Sequence, residues 1–225
     1  MEEPLGLLLI CVIHVLFMNG VSIIVPTLNE EGNIRELVQR LDRVLQSHAL
    51  RYEVIVVDDH STDATREVLA DLSRSYPIAV HLKKGQRGKA QSLLEGCTYA
   101  AYDVLAVIDA DLQYPPEAIP EMVEKLQGGF DIVVANRRVH REAVVRKFVS
   151  RAFTFFVNAL HGFDCDVQAG LKVFRREVLQ EVTFHPTPWT FDLVLGRLGP
   201  HPGLFSSLAR VEWRRGFTLS QSPCQ

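Results

Sequence analysis

Residues 104–113 read VLAVIDADLQ, and the predicted fold is arranged around them. The first five residues are apolar, which is typical of a buried strand in a parallel sheet. Asp109 and Asp111 follow at the carboxyl end of this strand, where open α/β sheets bind their ligands. Acids there suit a divalent cation such as Mg²⁺ or Mn²⁺ that is shared with substrate phosphates. The segment therefore predicts a metal–diphosphate site, and the plain alternative is that the two acids only begin a loop.

Apolar runs and helical periodicity alternate along most of the chain. The strands are predicted at residues 21–25, 53–57, 78–82, 104–108 and 131–135. The apolar spacing between them predicts helices, the first of which is capped by Asn29. This alternation predicts an α/β fold, a single domain with a doubly wound, mostly parallel sheet. Right-handed crossovers bring the strand ends to one edge, so we expect four acids to converge on one crevice: Asp58, Asp59, Asp109 and Asp111.

The composition limits the class of protein. A length of 225 residues suits one α/β domain, and 47% hydrophobic with 23% charged residues indicates a globular chain. The net charge of −3 gives no electrostatic case for a nucleic-acid partner. The cysteines lack paired spacing, which argues against a zinc site or a disulfide framework and fits a reducing compartment. They are Cys11, Cys97, Cys165 and Cys224.

The N-terminal residues 1–19 form an apolar extension ahead of the predicted domain at 20–216, and residues 217–225 form a tail. Residues 5–18 are apolar apart from His14, a run of about 14 residues where roughly 20 are needed to span a bilayer. Glu2 and Glu3 precede the run, where a signal peptide carries Lys or Arg. The extension is either a membrane-touching anchor or an additional, poorly packed segment.

Two nucleotide-binding motifs are excluded. No G-x-G-x-x-G follows the first predicted strand, so the dinucleotide fingerprint is missing. The loop KKGQRGK at 83–89 ends like a phosphate-binding loop, but Lys83 and Ala90 occupy positions where that motif requires Gly and Ser or Thr. Two interpretations of the loop stay open: Lys89 or Arg87 contacts a phosphate, or the loop is simply basic and solvated.

Four ordered blocks carry a resemblance to a known family: VSIIVPTLNEEGNI (21–34), VIVVDDHSTDAT (54–65), GKAQSLLEG (88–96) and VIDADLQYPPEAI (107–119). In this order and spacing they resemble the family 2 glycosyltransferases, which have the Rossmann-like GT-A fold. More narrowly, they resemble the dolichyl- and polyprenyl-phosphate sugar transferases, over about residues 21–195. One departure is GKA where the family usually has GKG.

The resemblance implies a donor site and a metal site. The metal, Mg²⁺ or Mn²⁺, would bridge the donor diphosphate from Asp109, Asp111 and Gln113. Asp58 and Asp59 would approach the base and ribose of the nucleotide. Asp166, Gln168 and Lys172, in a block that includes a short strand at 171–174, would face the sugar or diphosphate. The remaining donor-site residues are Pro26, Thr27, Asn29, Glu30, Lys89 and Ala110.

The second half of the chain carries the predicted acceptor site. Residues 143–160, AVVRKFVSRAFTFFVNAL, mix basic and aromatic residues as a helix in a membrane interface does, although an ordinary buried helix with solvated arginines has the same pattern. The resemblance favours the former and implies that Arg137, Arg146 and Ser150 bind the phosphate of a lipid acceptor. Arginine suits this role because its planar fork binds phosphate oxygens in pairs.

The block WTFDLVLGRL at 189–198 resembles a helix of the family that carries an acid, here Asp192. In many family 2 enzymes an acid near this position deprotonates a hydroxyl acceptor, whereas we expect Asp192 to position the sugar or a basic side chain. The block VEWRRG at 211–216 resembles the last strand of the family and the basic turn that follows it.

The resemblance implies an inverting enzyme that moves a hexose, with mannose as the first choice, from GDP-mannose or a UDP-hexose to dolichyl or polyprenyl phosphate. We expect it at a membrane surface with its active site facing the cytoplasm, acting on no nucleic acid. Two alternatives stay open. One is a transferase that acts on a sugar hydroxyl with Asp192 as base, and the other is a non-catalytic donor-binding subunit.

Overall fold

The computed structural model describes residues 20–137, 169–180 and 208–213. Strands and helices alternate through them as the sequence predicts. The strands are β1 (Gly20–Thr27), β2 (Arg51–Asp58), β3 (Ile78–Leu82), β4 (Val104–Ile108), β5 (Ile132–Arg137), β6 (Leu171–Arg175) and β7 (Leu208–Trp213). The helices are α1 (Ile34–Ser47), α2 (Thr65–Leu72), α3 (Lys89–Tyr99), α4 (Ile119–Gln127), which a 3₁₀ turn at Pro116–Ala118 precedes, and α5 (Glu177–Gln180).

The strands form one seven-stranded sheet in the order β3-β2-β1-β4-β6-β5-β7. The pairs β1–β2, β1–β4, β2–β3 and β5–β7 are parallel, so the predicted mostly parallel sheet is confirmed. Strand β6 runs antiparallel to both of its neighbours, β4 and β5. The predicted strands at 78–82 and 104–108 have the observed bounds, and the other strands differ from their predicted bounds at one or both ends.

The core lies on both faces of this sheet. All five residues of β4 are buried, as expected for a central strand that is covered on both sides. Helix α1 has an apolar stripe at helical spacing, and this stripe packs into the core. Its buried residues are Ile34, Leu37, Val38, Leu41, Val44 and Leu45.

The prediction that Asn29 caps the first helix is wrong. Helix α1 begins after Asn33, and no side chain caps it. Asn29 instead has a positive φ of 58°, which asparagine tolerates better than most residues. Its Oδ1 accepts hydrogen bonds from the backbone N–H of Thr62 at 2.8 Å and from the Thr62 hydroxyl at 3.3 Å. Asn29 therefore joins the loop after β1 to the loop after β2.

Several predictions lie outside the described residues: the extension at 1–19, the basic and aromatic segment at 143–160, the segment around Asp192 and the tail at 217–225. They stay predictions.

Among the residues that the structure describes, no helix has the length and apolar character needed to cross a membrane. The last strand was expected within 211–216, ahead of a basic turn, and the structure shows it at Leu208–Trp213.

Candidate functional site

A cavity of about 220 Å³ opens at the carboxyl ends of the parallel strands β1, β2 and β4. These strands are neighbours in the sheet and run in one direction, so their ends meet at one edge. The start of helix α3 closes another side. The residues that line the cavity are Pro26, Thr27, Leu28, Glu30, Asp59, Lys89, Ser92, Asp109, Ala110 and Asp111.

Asp109 is held at the cavity by an ion pair with Lys89. The Nζ atom of Lys89 lies 2.7 Å from one carboxylate oxygen of Asp109 and 2.8 Å from the other. Burial raises the pKa of Asp109, the positive charge of Lys89 opposes this rise, and the nearby carboxylate of Asp111 adds to it. The Lys89 ammonium is thus a positive charge that lies in the cavity wall beside Asp109 and close to Asp111.

Gly170, at the start of β6, makes room for the Asp109 carboxylate. The backbone N–H of Asp109 donates to the Gly170 carbonyl at 3.1 Å. A Cβ atom at position 170 would collide with Asp109 Oδ2 and would also meet the ring of Tyr114. The close approach therefore requires glycine here.

Asp111 and Gln113 belong to a tight turn after β4. The backbone N–H of Gln113 donates to Asp111 Oδ1 at 3.0 Å, and Leu112 between them has a positive φ of 58°. Asp111 lines the cavity, whereas the exposed side chain of Gln113 is not part of its wall. The structure thus brings two of the three predicted metal ligands to the cavity.

The residues at the cavity fit a divalent cation. Asp109 and Asp111 offer carboxylate oxygens, which Mg²⁺ and Mn²⁺ prefer, and the ion pair of Asp109 with Lys89 shows that positive charge is accommodated there. Within the described ranges, no group of three or more His, Cys, Asp or Glu side chains could hold a metal by itself. Mg²⁺ is usually bound by one or two carboxylates together with substrate phosphates and water.

Asp59 is tied to the start of helix α3. Its Oδ2 accepts the backbone N–H of Gly88 at 2.7 Å, and its Oδ1 lies 3.2 Å from Lys83 Nζ and 3.3 Å from His60 Nδ1. Burial by itself would raise the pKa of Asp59, but the Gly88 hydrogen bond and the Lys83 charge outweigh it and lower the pKa. Sequence reasoning missed Lys83, because a buried lysine cannot be told from its solvated neighbours in a basic loop.

Asp58 is the exception to the predicted convergence of four acids. Its side chain is fully buried, accepts a hydrogen bond from Arg66 Nε at 2.8 Å, and lies 3.3 Å from the backbone N–H of Ser61. It does not line the cavity. Successive residues at a strand end point to opposite sides, so Asp59 faces the cavity while Asp58 stabilises the turn below it.

The loop after β1 is fixed by hydrogen bonds to the loop after β2. The backbone N–H groups of Asn29 and Glu30 donate to the hydroxyls of Ser61 and Thr65 at 2.9 and 2.8 Å. Pro26, Thr27 and Glu30 line the cavity, whereas Asn29 does not. Asp63 accepts hydrogen bonds from the N–H and hydroxyl of Thr65 and serves the start of helix α2.

The other predicted site residues either do not line this cavity or lie outside the described part of the chain. Lys172 is buried and its Nζ donates to the Ala169 carbonyl at 2.7 Å, but its positive charge lies close enough to Asp109 to oppose the rise in the pKa of that acid. Arg137 was expected just after β5, but it is the last residue of that strand, in register with Trp213 of β7. The side chain of Arg137 and four whole residues lie outside the description: Arg146, Ser150, Gln168 and Asp192.

A family model described as "Glycosyl transferase family 2" matches residues 22–183, most of the chain and every strand that borders the cavity. The chain belongs to glycosyl transferase family 2. Among curated proteins, this family 2 chain is 36% identical over 174 residues to the dolichol-phosphate mannosyltransferase of Pyrococcus furiosus, covering 74% of the chain and 49% of that relative. It is 33% identical over 163 residues to the undecaprenyl-phosphate 4-deoxy-4-formamido-L-arabinose transferase of Erwinia tasmaniensis, covering 71% and 50%. The chain thus spans about half the length of the curated relatives it matches.

Solved structures confirm the fold of this family 2 chain. The glucosyl-3-phosphoglycerate synthase of Mycobacterium tuberculosis superposes with a TM-score of 0.69 at 23% identity, covering 91% of this chain and 73% of that one. A second crystal structure of the same synthase superposes with a TM-score of 0.69 at 24% identity, covering 87% and 70%. The predicted GT-A fold is confirmed by this likeness.

Proposed function

We propose that this family 2 protein is an inverting glycosyltransferase that moves a hexose from a nucleotide-diphosphate sugar to a polyprenyl phosphate. The observation that carries the proposal is the cavity at the ends of β1, β2 and β4, where Lys89 contacts Asp109 and where Asp111 and Asp59 also face the space. An ammonium and a pair of acids suited to a cation are the groups that bind a diphosphate.

The donor is proposed to be a nucleotide-diphosphate sugar bound against Thr27, Glu30 and Asp59. One structure of the M. tuberculosis synthase, a protein with the same fold, was solved in complex with UDP, which supports a nucleoside diphosphate here. The name of the P. furiosus relative favours mannose, so GDP-mannose is our first candidate. The formamido-arabinose transferases among the relatives favour a modified pentose instead, and this is the competing donor.

A divalent cation is proposed to be held by Asp109 and Asp111. Complexes of the M. tuberculosis synthase with Mn²⁺ or Mg²⁺ and UDP support this assignment. A divalent cation, when bound, stabilises the negative charge that grows on a leaving diphosphate. Lys89 is close enough to Asp109 to place a second positive charge beside the same phosphates.

The acceptor phosphate is proposed to act as the nucleophile without a general base. If the second pKa of a phosphate monoester is near ~6, the group is mostly dianionic at neutral pH. A phosphate oxygen forms a bond to the anomeric carbon, while the bond from that carbon to the donor diphosphate breaks and the electron pair leaves with the diphosphate. One in-line displacement inverts the configuration, so an α-linked donor gives a β-linked product.

Repulsion between the two anions is the barrier that the protein must lower. We assign Arg137, Arg146 and Ser150 to the acceptor phosphate, because guanidinium groups bind phosphate oxygens in pairs. Asp192 is assigned to positioning the sugar or one of these basic side chains. The apolar extension at 1–19 and the basic, aromatic segment at 143–160 would keep the protein at a membrane surface, with the active site facing the cytoplasm.

The experiment that tests this function is a screen of donors against acceptors. GDP-mannose, UDP-glucose, UDP-GlcNAc and a formamido-arabinose donor are each incubated with dolichyl or undecaprenyl phosphate and Mn²⁺, and lipid-linked sugar is measured. We expect β-linked product from one donor. An α-linked product contradicts the single displacement, product on a glycan hydroxyl favours Asp192 as base, and donor binding without transfer to any acceptor favours a non-catalytic subunit.

A further inference from the structure

Lys83, directly after β3, is a buried lysine with a complete set of partners. Its side chain is only 2% exposed, and lysine is rarely buried unless its charge is paired. Its Nζ lies 3.2 Å from Asp59 Oδ1, 2.9 Å from the carbonyl oxygen of Gly88 and 3.1 Å from Ser92 Oγ. Three partners match the three N–H donors of an ammonium group.

The partners of Lys83 belong to two separate parts of the cavity wall. Asp59 follows strand β2, whereas Gly88 directly precedes helix α3 and Ser92 lies in its first turn. Asp59 and Ser92 both line the cavity, and Gly88 is followed by Lys89, which contacts Asp109. A single buried ammonium therefore links the acid after β2 to the helix start that carries Lys89.

The charges around Lys83 support this link. The Asp59 carboxylate accepts the Gly88 N–H at 2.7 Å, so it lies at the positive end of helix α3. A carboxylate this well buried is costly without a counter-charge, and Lys83 supplies one. The Gly88 carbonyl in turn accepts hydrogen bonds from Lys83 Nζ and from the N–H of Ser92, at 2.9 and 3.1 Å.

We propose that Lys83 is a positioning residue for glycosyl transfer: it fixes Asp59 and the first turn of helix α3 so that Asp59 and Lys89 are oriented before the donor binds. Lys83 is not part of the cavity wall, so it acts through Asp59 and Gly88. The inference rests on the proposed function, because it takes the cavity to be the donor site.

The test compares two neighbouring lysines. Lys83→Met keeps the aliphatic chain and removes all three donors, and Lys84→Met makes the same change at an exposed position of the same loop. The binding of UDP and of GDP is measured by calorimetry with Mn²⁺ present, together with the melting temperature and the donor KM and kcat. We expect about tenfold weaker nucleotide binding in Lys83→Met. We also expect a raised donor KM with little change in kcat, and no change in either quantity in Lys84→Met.

Equal nucleotide affinity in a folded Lys83→Met protein would overturn the inference, as would an equal loss in both variants. If Lys83→Met does not fold, Lys83→Gln is measured in its place, because it keeps a hydrogen-bond donor without the charge. Weaker binding by folded Lys83→Gln supports the inference, whereas unchanged binding or failure to fold refutes it. A wild-type protein that binds neither UDP nor GDP would refute the proposed donor site itself, which separates the two failures.

Discussion

Lys89 Nζ contacts both carboxylate oxygens of Asp109, at 2.7 and 2.8 Å, across the cavity at the ends of the parallel strands. The two residues lie on different elements, the start of helix α3 and the end of strand β4. The Lys89 ammonium thus contacts an acid that we propose as a ligand of a divalent cation. Lys89 and the metal therefore compete for the same carboxylate oxygens until a donor diphosphate binds and pairs with Lys89. The predictions below start from this pair.

Replacing Lys89 with Met is expected to strengthen Mn²⁺ binding in the absence of nucleotide. The side chain of Lys89 is 48% exposed, so the pair is worth at most about 1 kcal/mol and the affinity should rise by about two- to fivefold. Mn²⁺ binding is followed by electron paramagnetic resonance. With UDP or GDP present, Mn²⁺ should bind more weakly to Lys89→Met than to the wild-type protein, because the variant lacks the positive charge that pairs with the diphosphate. Lys84→Met serves as the control, and unchanged Mn²⁺ affinity in Lys89→Met would show that no competition exists.

Replacing Asp111 with Asn is expected to remove most transfer activity. The change deletes one of two carboxylates at the proposed cation site, and the loss of such a charge stabiliser costs about 100-fold or more in rate. Product formation and Mn²⁺-dependent nucleotide binding are both measured. Asp71→Asn is the matched control, since Asp71 is an exposed acid paired with Arg35 away from the cavity. Full turnover in Asp111→Asn would refute the metal assignment.

The raised pKa of Asp109 predicts that its charge destabilises the metal-free protein. In the folded state Asp109 holds its proton to a higher pH than in the unfolded chain, because burial outweighs the charge of Lys89. The free energy of unfolding therefore falls as the pH rises from the pKa of Asp109 in the unfolded chain, 3.8, through its higher pKa in the folded protein. Below pH 3.8 Asp109 is protonated in both states, so its charge has no effect on stability. Asp109→Asn should raise the melting temperature at neutral pH and have little effect below the unfolded pKa.

Asp71 is the control for this prediction, because its pKa is shifted in the opposite direction to that of Asp109. The hydrogen bond and charge of Arg35 lower the pKa of Asp71, so Asp71→Asn should not stabilise the protein at neutral pH. Calorimetric scans across the acid range, with a chelator present, measure both variants. A lower melting temperature for Asp109→Asn at neutral pH would contradict the assignment of a costly buried charge.

Replacing Gly170 with Ala adds only one methyl group, but we expect it to reduce activity and stability substantially. The added Cβ collides with Asp109 Oδ2 and approaches the Tyr114 ring, so the carboxylate must move away from its position beside Lys89. We expect about tenfold or greater loss of activity and a destabilisation of about 1–3 kcal/mol. Gly32→Ala is the control, because a Cβ there meets no atom within 4 Å. Equal activity in both variants would show that the close approach does not matter.

Much of the fold could be predicted because its signals are local. The apolar run of β4 and the helical stripe of α1 report burial directly, and the structure confirms both. The antiparallel placement of β6 between β4 and β5 could not be predicted in this way, since the pattern of a strand does not state which neighbours it joins. Asn29 failed as a predicted cap for a similar reason, because its partner, Thr62, is distant in sequence.

The sequence by itself determined that acids follow the buried strands, and that parallel strands bring these acids to one edge, since periodicity and strand order are properties of the chain. Only the tertiary structure decided which acids face the cavity and what each one contacts. Asp58 and Asp59 are neighbours, yet Arg66 pairs with the first and Lys83 with the second. The physical reason is that burial and charge pairing arise where separate loops pack together, so a buried lysine and a solvated one, Lys83 and Lys84, look alike until the chain has folded.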